Sequence, residues 1–168
     1  MKNLFIIAFV LLSVNVFAQD KKVTITNNYT EDLNNIEIGT QSSTPGYPRI
    51  IGTGISVPWG VGNVYTMTPA GSSTTKFPFS YIGSAHFSWT ICTSTFPSSC
   101  TSITATDAFN TYGVDQVYEK IKFSVGSQTG FIQNGIGTFT DPNFLWKLVV
   151  TQSTGTPKRT NIVLSSYP

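Results

Sequence analysis

The chain is expected to fold as an all-β antiparallel sandwich, Ig-like or jelly-roll-like, in one domain. Three observations lead there. Apolar and polar residues alternate with period two in many short runs. Gly, Pro, Asn and Asp punctuate those runs at short intervals. Charged residues make up only 11 % of the chain, and Ser, Thr and Asn take their place; β-branched Thr suits exposed strand positions.

Val23 to Asn27 is the first expected strand, with Val23 and Ile25 on one face, and Asn27-Asn28 offers a turn. Leu33 to Thr40 follows, with Ile36 and Ile38 inward and Glu37 outward. Gln41 to Pro48 reads as a loop. Ile50 to Val57 is a strand despite Gly52 and Gly54, and Pro58-Trp59-Gly60 ends it. Asn63 to Thr68 is a strand, and Pro69 to Ser72 a turn into Thr74 to Tyr81. There Phe77, Phe79 and Tyr81 share a face, and Pro78 on the other parity places the run at a sheet edge or bulge.

Ser84 to Cys100 is the central stretch. Ala85, Phe87, Trp89 and Ile91 alternate with His86, Ser88, Thr90 and Cys92, so a strand leads into a loop that Cys92 and Cys100 can close. Thr101 to Thr106 is a short strand. Asp107 to Gln116 has mixed periodicity and is read as a loop or single helical turn before a strand from Tyr118 to Val125. Phe131 to Thr140 is a glycine-containing strand. Phe144 to Thr151 places Phe144, Trp146, Leu148 and Val150 on a core face, and Arg159 to Tyr167 closes the fold. The structural rival is a small outer-membrane barrel, but these strands are mostly shorter than the ~10 residues a barrel needs.

The first eighteen residues read as a bacterial secretory signal peptide. Lys2 supplies positive charge, Leu4 to Leu12 the apolar run, and Val16-Phe17-Ala18 the small-residue cleavage pattern. Residues 19–168 then form the domain, and the protein is expected to be secreted or periplasmic. No run approaches the ~20 apolar residues of a spanning helix. About 150 residues can bury about 68–70 % of their unfolded surface, so no metal or dense disulfide framework is needed. In such a compartment the two cysteines most simply pair as Cys92–Cys100.

Lys and Arg number 10 against 8 Asp and Glu. The near balance, without basic runs, gives no footprint for nucleic acid or anionic lipid. Catalysis finds little support. His86 is the sole histidine, and neither a nucleophile elbow nor a zinc ligand set accompanies it. Asp107, Asn110 and Asp115 crowd oxygen ligands in one segment but lack EF-hand spacing. Nothing points to a cofactor, and nothing sets an oligomeric state.

Aromatics outside the strands are the remaining lead. Phe87, Trp89, Phe123, Phe144 and Trp146 have apolar parity partners and read as core. Trp59, Tyr47, Tyr112 and Phe96 fall in expected loops, where aromatic rings can stack on sugar or anchor a partner. The expectation is a non-catalytic exported protein that binds a glycan or cell-surface ligand through those loops. The alternatives are a secreted hydrolase with an unlocated carboxylate pair and a membrane-active pore-forming β protein.

Overall fold

The computed structural model describes residues 21–42, 46–60, 62–68, 75–79, 87–93, 99–155 and 158–168. Among them the chain forms two packed sheets. Strands β1 (Val23–Asn28), β4 (Asn63–Met67), β9 (Gly137–Thr140), β10 (Trp146–Gln152) and β11 (Thr160–Ser166) make one, in the order β4-β1-β11-β10-β9. Strands β2 (Leu33–Ser42), β3 (Arg49–Val57), β5 (Ser88–Cys92), β6 (Cys100–Ile103), β7 (Gln116–Val125) and β8 (Gln128–Ile132) make the other, in the order β6-β5-β3-β2-β7-β8. The expected sandwich is present. One pairing departs from an all-antiparallel arrangement: β1 lies parallel to β11, Val23 opposite Thr160. Parallel neighbours need a long connection, and nearly the whole domain lies between these two strands.

The core is built from the faces that alternation marks. Val23, Ile25, Leu148, Val150, Ile162 and Leu164 from one sheet meet Leu33, Ile38, Ile50, Ile121, Phe123 and Val125 from the other, all buried. Leu33 and Ile36 are three apart yet both buried. Strand alternation permits that only if an extra residue intervenes, and Asn35 supplies it at φ 48°, within a register shift of β2. Aromatic rings fill both flanks. Phe123, Phe139 and Trp146 lie 5.6–6.1 Å apart on one side. On the other, Trp89 lies 5.0 Å from Phe79 and 5.1 Å from Phe87.

Four expectations are corrected. Residues 75–79 are not strand: Phe77 N–H donates to Gly113 O at 2.6 Å, Pro78 has no N–H to give, and Phe77, Pro78 and Phe79 are all buried in succession. Strand β6 stops at Ile103, because the Thr104 hydroxyl accepts the Asp107 N–H at 3.0 Å and starts helix α1 (Ala105–Asp107), which runs into a π turn over Ala108–Tyr112. The expected strand over 131–140 breaks at Asn134 and Gly135, whose φ values are 67° and 82°. There the chain leaves β8 in one sheet for β9 in the other.

The fourth correction is Phe144. It is 63 % exposed rather than core. The Asp141 turn is longer than its Asp-Pro-Asn signal suggests: the buried carboxylate accepts the N–H groups of Asn143 at 3.1 Å and Leu145 at 3.3 Å. That holds Phe144 at φ 57°, and β10 begins only at Trp146.

Cys92 and Cys100 form a disulfide, directly opposite each other in the β5–β6 pair with Cα atoms 4.0 Å apart. Thr93 N–H donates to Ser99 O at 3.2 Å just beyond it. No helix among the described residues is long and apolar enough to cross a membrane.

Candidate functional site

The aromatic residues singled out in the sequence do not converge. Phe96 lies outside the described residues, as does His86. Tyr47 is half-buried just before β3. The Arg49 guanidinium stands 5.4 Å from its ring centroid and reaches the buried Glu119 carboxylate at 3.4 Å. Tyr112 is half-buried in the π turn and packs on the core. Both rings have structural neighbours.

Trp59 differs. It is 63 % exposed, whereas Trp89 and Trp146 are 4 % and 3 % exposed. It stands in the crossover from β3 to β4, which carries the chain from one sheet to the other. Val57 ends β3 facing the core, and Pro58 turns the chain out. Gly60 at φ 124° adopts a backbone that other residues rarely take, and its N–H donates to Tyr29 O at 3.2 Å.

Side chains from three neighbouring segments hold the loop. The fully buried Asn27 amide donates to Val57 O at 3.0 Å and Pro58 O at 3.1 Å, and to Glu31 O at 2.8 Å. The Asp32 carboxylate accepts the Trp59 N–H at 2.7 Å. Asn63 closes the turn by donating to Trp59 O at 2.6 Å. The backbone on both sides of the indole is therefore fixed, and the ring itself faces water.

Strand register places a second exposed group at the same end of the sandwich. Asn27 pairs with Asn63, Asn28 with Ser165, and Ser166 with Trp146. The Trp59 loop, the Asp141 turn and Tyr167 thus share one end. Phe144 and Tyr167 meet edge to face at 5.3 Å, with Leu145 beside them 58 % exposed and the Lys147 ammonium 5.6 Å from the Tyr167 ring. Sequence reasoning missed this group because it counted Phe144 as core. It also missed the bracing roles of Asn27, Asp32 and Asn63; only Asn63, three residues after Gly60, is a local signal.

Apart from Glu31, the described carboxylates are engaged one at a time. Asp32 and Asp141 accept backbone N–H groups, Asp107 accepts the Thr104 hydroxyl at 2.7 Å, and Glu37 pairs with Lys120 at 3.3 Å. Asp115 faces Lys21 electrostatically. Asp107 and Asp115 thus each have a local partner. No group of three or more His, Cys, Asp or Glu side chains among the described residues could hold a metal. No protein-family model, curated protein or solved structure matches the chain.

Proposed function

We propose that this is an exported, non-catalytic binding protein that uses the Trp59 loop to hold a glycan or cell-surface ligand. The observation that carries the proposal is the pairing of high exposure with a fixed backbone at Trp59. An exposed indole on a loose loop would lose freedom on binding. One whose loop is already braced loses little, and preorganisation of this kind turns contact area into affinity. The flat apolar face with a polar N–H edge matches the C–H face and hydroxyl rim of a sugar ring. Phe144, Leu145 and Tyr167 extend the apolar surface at that end.

Export rests on the charge, apolar run and small-residue pattern of residues 1–18. A disulfide is at home in an oxidising compartment. The separate engagement of the carboxylates favours binding over hydrolysis.

Tryptophan emission provides the test. Trp59 is the exposed one of the three tryptophans, so iodide quenching reports mainly on it. A panel of neutral and acidic oligosaccharides should contain one that shifts emission saturably and protects against iodide. Turnover of such a sugar, lost on replacing one acid, would support a hydrolase instead. Dye release from liposomes would support a pore-forming protein.

A further inference from the structure

The opposite end of the sandwich, where β1 and β7 begin, holds a cavity of about 620 Å³. Its lining has a charge pattern that the protein as a whole lacks. Lys21, Lys22 and Lys158 line it, three of the 10 basic residues in the chain, and no carboxylate lies among its described lining residues.

Depth separates the chemistry. Val23, Phe77, Tyr118 and Thr160 are buried, with exposures of 1 %, 2 %, 6 % and 2 %. Lys21 and Lys22 are half-buried and Lys158 is exposed, so the cations stand at the mouth. Lys21 is held there: its ammonium donates to Val114 O at 2.6 Å and Gln116 O at 2.9 Å. That leaves one of its three N–H donors uncommitted among the described residues. Burial lowers its pKa and Asp115 opposes that shift.

The Tyr118 hydroxyl supplies the second, independent observation. It is buried and has no hydrogen-bond partner among the described residues, and Tyr118 is one of the residues that line this cavity. A buried hydroxyl left unpaired costs about 1–3 kcal/mol, and an acceptor atom placed in the cavity would remove that cost. Burial also holds its phenol neutral well above the ordinary tyrosine range, so it acts only as a neutral group.

We propose that this cavity binds a small organic anion with an apolar body, its negative group at the lysine mouth and an acceptor atom on the Tyr118 hydroxyl. The volume lies within the ~300–1,000 Å³ of small-molecule sites, which combine an apolar lining with a few convergent polar groups. This site is separate from the Trp59 loop, and neither reading depends on the other.

Displacement of 8-anilinonaphthalene-1-sulfonate tests the proposal, with decanoate, decanol and decyltrimethylammonium as competitors of equal chain length. Decanoate should displace the dye saturably at concentrations where the cation does not, and decanol should be weaker. Replacing both Lys22 and Lys158 by Gln should weaken decanoate at least about tenfold, the scale of a lost charge-assisted contact. Both side chains are solvent-accessible, so the fold should persist. Tyr118→Phe should weaken a decanoate that carries a carbonyl oxygen part-way along its chain, which can accept from the Tyr118 hydroxyl, more than decanoate itself, while leaving the unfolding midpoint unchanged or higher. Trp59→Ala and Phe144→Ser should leave dye binding intact. Absence of saturable displacement, equal competition by the cation, or indifference to the double lysine replacement would overturn the proposal. So would loss of dye binding in Phe144→Ser, which would locate the dye on the exposed patch at the other end.

Discussion

The six-membered ring of Trp89 covers Gly52, its partner across the β3–β5 pair: a β-carbon built on Gly52 would stand 2.5 Å from Cζ3 and 2.8 Å from Cε3. Phe123 covers Gly130 in the same manner across the β7–β8 pair. In both places the missing side chain makes room for an aromatic ring on the neighbouring strand. Glycine inside a strand weakens it locally, and here the gap is filled by packing. Gly52→Ala should therefore push Trp89 off its rotamer and cost about 1–3 kcal/mol, as overpacked cores do. An unchanged denaturation midpoint would show that the Trp89 pocket has slack.

Asn27 ties β1 to the loop it braces. Asn27→Ala removes the amide and leaves the Val57 carbonyl without that donor. The cost should be about 1–3 kcal/mol, as for other buried unpaired groups. Ligand binding through Trp59 should weaken in the same variant, because the loop loses its anchor. A variant as stable as the parent would place the loop's rigidity elsewhere.

The disulfide closes a short loop. Replacing Cys92 and Cys100 together by Ser should lower stability by about 2.5 kcal/mol in the chain-entropy treatment. Free-thiol titration of the unfolded, unreduced parent should find none. A detectable pair of thiols would contradict the bridge.

Tyr118 gives a stability signal at high pH. Burial raises its pKa above the ordinary 10.0. The unfolded chain therefore releases this proton near pH 10 while the folded chain keeps it. Below pH 10 both states hold the proton and stability is insensitive to this group. Above pH 10 the folded state binds more protons, so stability falls as pH rises, by about 1.4 kcal/mol per unit from this group alone. Lys21 acts in the opposite sense: its lowered pKa makes stability rise with pH in the window just below 10.5. Melts of the parent and Tyr118→Phe across pH 9 to 11 isolate the tyrosine. The parent should lose stability faster above pH 10, and parallel curves would contradict the burial account.

Much of the fold is legible as local pattern. β1, β2, β3, β5 and β7 each carry a stretch of alternation over a buried face, broken in β2 by the Asn35 bulge, and their positions can be read from Val23-Ile25, Ile36-Ile38, Ile50, Trp89-Ile91 and Ile121-Phe123-Val125. Two of the misread segments are those where a hydrogen bond from a distant residue overrides parity. Phe77 is held by Gly113, and Gly135 N–H donates to Glu119 O at 2.8 Å. Neither partner is visible in a local window. Phe144 fails for a nearer reason: a buried carboxylate extends the turn by two residues and reverses which ring faces water. The same limit governs the site. Pro58-Trp59-Gly60 announces an exposed aromatic turn, but the bracing by Asn27 and Asp32 depends on chain crossing between sheets. The lysine-lined cavity unites residues from both ends of the sequence, so no motif announces it.

The most direct test of the central claim compares parent and Trp59→Ala in two assays on the same preparation: a denaturant melt, and binding to whichever sugar protects the tryptophan emission. The expected result is a midpoint shift equivalent to no more than about ±0.5 kcal/mol, as for surface positions, with binding weakened at least about tenfold. A loss of about 3–5 kcal/mol with unchanged m-value, the signature of a deleted core aromatic, would make Trp59 a structural cap and contradict the account.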